Sequence, residues 1–112
     1  VAEVRAAVAN KGYRLDILIH DTSWYVRAAV ARQGCGLDVL IHDEDYRVRC
    51  VVVEKRYKLE ILIRDHDPDV RIAVAKQGYG LEQLIHDKDE EVRDTAKYML
   101  LMKAKLSHNV NT

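Results

Sequence analysis

The sequence predicts an all-α protein: an α-solenoid of short two-helix repeats, closed by a longer C-terminal helix. Three observations predict it. One unit recurs four times at a constant spacing, marked by Val4-Arg5, Val26-Arg27, Val48-Arg49 and Val70-Arg71, and a fifth pair follows at Val92-Arg93. Within a unit the apolar residues keep helical spacing: Val26, Ala29 and Val30 follow i, i+3, i+4, as do Leu37, Leu40 and Ile41, and neither run alternates like a strand. Between the two runs stands a helix-stopping glycine, at Gly12, Gly34 and Gly78, with Arg56 in its place in the third unit.

Aligned on the Val-Arg pair the units read VRAAVANKGYRLDILIHDTSWY, VRAAVARQGCGLDVLIHDEDYR, VRCVVVEKRYKLEILIRDHDPD and VRIAVAKQGYGLEQLIHDKDEE, which places them at 4–25, 26–47, 48–69 and 70–91 of one domain spanning 1–112. Ser23, Asp45, Asp67 and Asp89 stand three residues before the valines, where a side-chain oxygen caps the first free N–H groups of a helix. Pro68 follows Asp67 at the favoured first helical position. Each first helix is expected to run about ten residues to its glycine. Tyr13, Cys35, Tyr57 and Tyr79 come next and are expected to fold back onto the turn they follow. The second helix, Leu37 to His42 for example, is barely two turns and open to a 3₁₀ form. A single unit holds too few apolar side chains to offset the entropy of ordering its backbone, so the units must stack and share a core. From Glu90 to about 107 neither glycine nor proline interrupts the chain, which predicts one closing helix. Val1 occupies the register that Ser or Asp fills elsewhere, an expectation of further chain ahead of it.

Composition narrows the function classes. Eighteen basic residues balance eighteen acidic ones, so the net positive field that sequence-independent nucleic-acid binding draws on is absent. No apolar run reaches the roughly 18 residues of a membrane span and no signal-peptide pattern opens the chain, which points to the cytoplasm. Cys35 and Cys50 have neither a Cys-x-x-Cys spacing nor a matching His pair, and are expected to be free thiols.

The run Asp-x-Asp-Pro-Asp-Val-Arg from Asp65 to Arg71, preceded by a Leu-x-x-Leu-Ile type segment, resembles the second half of a HEAT repeat. The 22-residue unit is closer still to the leucine-rich repeat variant group, in which a helix alternates with a shorter 3₁₀-like one, and the likeness covers Val4 to about Tyr98. The resemblance implies a right-handed solenoid. It also implies a ladder between layers in which Asp21, Asp43, Asp65 and Asp87 pair with Arg27, Arg49, Arg71 and Arg93, a carboxylate and a guanidinium being able to join neighbours by bidentate bonds. The cysteine-ligated iron–sulfur cluster of some members does not carry over, since nothing before Val4 could hold it. No cofactor is expected.

Repeated His-Asp doublets, His20-Asp21, His42-Asp43 and His86-Asp87, invite a metal reading, and HEAT-like di-iron hydroxylases use His-Glu doublets on a similar scaffold. Against it, the Asp residues are committed to the ladder and Arg64 places a cation in the row, so each His is expected to close a short helix at its negative end. The second acidic row, Asp16, Asp38, Glu60 and Glu82, opens each short helix and complements its dipole. No activated nucleophile and no phosphate loop is visible, so the chain is not expected to be an enzyme.

Solenoids bind through the exposed ridge of their helices, so function belongs to positions that vary among the units. If Val26, Ala29 and Val30 face inward, positions 24, 28 and 32 face the other way. Across the units these positions yield an apolar strip of Trp24, Tyr46, Cys50 and Ile72 flanked by Arg32, Arg47 and Lys76, types enriched where proteins bind proteins. The expected function is a non-enzymatic scaffold for a protein partner. The alternatives are a nucleic-acid-binding HEAT-like module and a metal-binding HEAT-like enzyme built on the His-Asp doublets.

Overall fold

The computed structural model describes the backbone of residues 1–111 and the side chains of residues 1–108. Every regular element among the described residues is helical. Long helices α1 (Ala2–Asn10), α3 (Trp24–Arg32), α5 (Tyr46–Glu54) and α7 (Pro68–Lys76) alternate with one-turn helices α2 (Leu15–Leu18), α4 (Leu37–Leu40), α6 (Leu59–Leu62) and α8 (Leu81–Leu84), and α9 runs Glu90–Asn111.

Local chemistry sets each boundary. Ser23, Asp45 and Asp67 have extended backbones and accept the N–H two residues on, of Tyr25, Arg47 and Asp69, while Asp89 accepts that of Val92. The exits of α1, α5 and α7 are Schellman turns: Tyr13 N–H reaches the Val8 carbonyl, Tyr57 that of Val52 and Tyr79 that of Val74. The turn needs a left-handed residue, and Arg56 supplies it at φ 56° where the other units use glycine. A second left-handed residue, two positions later, launches each short helix: Arg14, Gly36, Lys58 and Gly80. The short helix makes a single α-turn and then leaves through i→i−3 bonds, His42 N–H to Val39 and Asp43 N–H to Leu40, so the 3₁₀ character lies in its exit.

The chain divides into two compact units, one of Val1–Tyr57 and one from Lys58 onward. In the first, α3 packs between α1 and α5, with α2 and α4 against its flanks. Val26, Val30, Val48 and Val52 are fully buried, and Leu40 seals the short-helix side. In the second, α7 and α8 pack on α9, and Val70, Val74, Leu84, Val92 and Ala96 form the core.

Two expectations need correction. Position 28 does not face outward: residues 26 to 31 of α3 are all buried, Ala28 completely, and Ile72 of α7 is 8% exposed. A helix with neighbours on both sides and a short helix on its flank has no polar half, so the single-stripe rule mis-assigns it. Tyr13 does not pack back either, being 65% exposed, whereas Cys35, Tyr57 and Tyr79 are half-buried. In the second and fourth repeats this turn packs on the short helix before it, Gly36 against Ile19 and Gly80 against Ile63.

Candidate functional site

The repeated Asp and Arg residues lie at the joints between a short helix and the long helix after it. Each Asp first folds its own loop: the carboxylates of Asp21, Asp43, Asp65 and Asp87 accept the backbone N–H two residues on, of Ser23, Asp45, Asp67 and Asp89, at 2.9 Å. The carboxylates of Asp21, Asp43 and Asp87 then meet guanidinium groups, in a pairing offset by one unit from the expected one. Asp21 takes Arg5 at 2.7 and 3.1 Å, Asp43 takes Arg27 at 2.7 and 3.1 Å, and Asp87 takes Arg71 at 2.9 and 3.1 Å. Arg27, Arg49, Arg71 and Arg93 instead give a terminal nitrogen to the carbonyl of the Asp six residues earlier, at 2.6–2.8 Å. The correction has a geometric cause: an Arg in the first turn of a helix points along the stack, so its fork falls on the following loop while its outer edge brushes the preceding one. Arg5 thus belongs to the series, and its place in the first Val-Arg pair is the sequence signal for it.

These groups are committed to structure. Arg49 and Arg71 are 5% exposed and Arg27 is 9% exposed, and no buried side-chain polar atom among the described residues lacks a partner. Bonding to Arg5 holds the Asp21 carboxyl below the usual carboxylate range, and Asp43 raises the already high Arg27. His20, His42 and His86 follow the short helices with exposed side chains. Shallow grooves run beside the joints, one lined by His20, Asp21, Arg27, His42, Asp43 and Glu44. Among the described residues no three His, Cys, Asp or Glu side chains come together as a metal site.

The variable positions make a different arrangement. At the start of α3 and α5, within the first unit, Arg47 lays its guanidinium 3.9 Å above the Trp24 ring and 5.7 Å from that of Tyr46. Both distances lie within the reach of a cation–π attraction. Asp45, the α5 cap, fixes Arg47 through bonds of 3.0 and 2.8 Å, which pulls the Asp45 carboxyl below its ordinary range. Tyr25 meets Trp24 edge to face at 5.7 Å and is 43% exposed. Tyr25 and Asp45 complete a cluster that the strip of positions 24, 28 and 32 omits; the signal for Tyr25 was the Trp-Tyr doublet directly after the Ser23 cap.

Of the other expected site residues, Arg32 is exposed at the far end of α3, more than two helical turns from Trp24. Cys50 is half-buried in α5. Ile72 and Lys76 belong to α7 of the second unit, Ile72 in its core and Lys76 on its surface. The continuous strip therefore resolves into a compact aromatic–guanidinium cluster on the first unit. Among the described residues no helix is long and apolar enough to cross a membrane. Compared with known proteins, the chain finds no matching family model, no matching curated protein and no matching solved structure.

Proposed function

We propose that the chain is a non-enzymatic helical-repeat scaffold that binds another protein through Trp24, Tyr25, Tyr46 and Arg47. The observation that carries this reading is the stack of Arg47 on Trp24 at 3.9 Å, fixed from behind by Asp45. Rigid aromatic and arginine side chains lose little entropy when a partner covers them, and they dominate binding energy at interfaces. The same reading places the repeats in a right-handed α-solenoid of HEAT-like type, nearest the leucine-rich repeat variant group, with α9 as its closing helix. The alternation of a nine-residue helix with a single α-turn that exits through i→i−3 bonds supports that placement. It also places the protein in the cytoplasm, where the unbridged Cys35 and Cys50 stay reduced.

Affinity capture with the parent and with a Trp24→Ala/Tyr46→Ala variant tests the surface. Loss of specific partners in the variant supports it, and an identical set of partners rejects it. A DNA mobility shift that weakens steeply with salt would replace the protein-binding reading with the nucleic-acid one.

A further inference from the structure

α9 carries large apolar side chains on more than the face it packs inward. Its inner face is satisfied, with Val92 and Ala96 fully buried. On the outer side Tyr98 is 60% exposed, Leu101 70% and Leu106 61%, and Met102 and Leu106 border an apolar groove completed by Leu81 and Met99. Several large apolar side chains exposed on one helix mark a surface that is covered in use.

The charges on the same face say what covers it. Glu91, Tyr98 and Lys105 are spaced seven apart and all three are exposed. A straight helix drifts by only about 20° per seven residues, so they lie on one side of α9. Leu101 and Met102 fill the next turn of that stripe, between Tyr98 and Lys105. Within the stripe Glu91 stands seven residues before Tyr98 and Lys105 seven residues after it, opposite charges at equal distances from the tyrosine. The stripe is therefore self-complementary when reversed end to end.

We propose that α9 is a homodimer interface, in which two copies of this chain pair their α9 helices antiparallel about Tyr98. Tyr98 meets Tyr98, Glu91 of each copy faces Lys105 of the other, and Leu101 and Met102 of each copy lie level with Thr95 and Asp94 of the other, on either side of the axis. The contact is isologous and closes on itself, so it yields dimers and not filaments. This surface shares no residue with the Trp24–Arg47 cluster.

Sedimentation equilibrium over a concentration series tests the proposal, with helicity by circular dichroism as the folding control. The parent is expected to dimerise, and Leu101→Glu to be monomeric throughout. Glu91→Lys alone and Lys105→Glu alone, each placing two like-charged pairs across the axis, are expected to weaken association about tenfold. The double reversal Glu91→Lys/Lys105→Glu restores it, and a mixture of the two single variants forms a heterodimer. A parent that stays monomeric at every concentration overturns the proposal. So does a dimer indifferent to Leu101→Glu, or one that the double reversal fails to rescue.

Discussion

Arg27 grips two loops at once: its Nε and one terminal nitrogen take the Asp43 carboxylate at 2.7 and 3.1 Å, while the other terminal nitrogen donates to the Asp21 carbonyl at 2.7 Å. Deleting the side chain strands a half-buried carboxylate and a half-buried carbonyl together. Arg27→Ala is expected to cost about 3 kcal/mol in urea unfolding. Arg27→Lys keeps the charge but not the fork, and falls between that variant and the parent. Arg5 reaches its Asp from a side chain 40% exposed. Water screens such a pair, so Arg5→Ala costs clearly less than Arg27→Ala. Equal unfolding midpoints for Arg5→Ala and Arg27→Ala would refute the two-sided grip.

Acid should loosen these joints in a defined window. Arg5 holds Asp21 low and Arg47 holds Asp45 low; burial pushes Asp87 up, but its bonds from Arg71 and the Asp89 amide outweigh that and leave it low as well. A carboxylate depressed in the folded state contributes stability that is fully present above its unfolded value, about 3.9, and is lost as pH falls through the folded value. Urea midpoints are therefore expected to be flat from neutrality to about pH 5 and to drop below about pH 4. Arg71→Met, less stable at neutral pH, should show a shallower acid decline; a decline parallel to the parent's would mean that Asp87 does not contribute to the acid sensitivity.

Equivalent positions in successive units should respond in opposite directions to glycine chemistry. Arg14 holds φ 54° and bears the Cβ strain of that conformation itself. Arg14→Gly is expected to raise stability by about 1 kcal/mol. Gly36, one period later at φ 63°, sits where a Cβ would run into the Ile19 Cδ1 methyl, so Gly36→Ala should lower it by more than that. Gly78→Ala, at φ 76° with open space around it, serves as the strain-only control and should lie between Gly36→Ala and the parent. Thermal melts of the three variants decide the order.

Trp24 is the single tryptophan, so its fluorescence reports directly on the aromatic cluster. Removing the guanidinium that covers its ring, in Arg47→Ala, should shift emission to the red and raise acrylamide quenching. Arg47→Lys should do so partly, because an ammonium does not stack as a plane does. Quenching identical in parent and Arg47→Ala would mean that the stack does not shield the ring in solution.

Sequence periodicity made the helices, caps and glycine exits legible, because each depends on a few residues at fixed offsets. A helical wheel knows one buried side, which misplaces Ala28, since α3 has α1 on one side and α5 on the other, and Ile72, since α7 packs against α6, α8 and α9. The Asp–Arg joints were recognised by residue type, but their partners were displaced by a unit, since spacing alone does not tell which way an arginine leans. The Trp24–Arg47 stack depends on residues 23 positions apart in different repeats, a relation no local pattern encodes.

The two separations bridged by Arg27, six residues back to Asp21 and 16 ahead to Asp43, together make one full period. The arginine thus gauges the length of the repeat. Adding or deleting one residue between those aspartates pulls one of the two contacts out of reach, so length cannot drift gradually. An array held this way is expected to tolerate insertion or deletion of a whole 22-residue repeat far better than of a single residue.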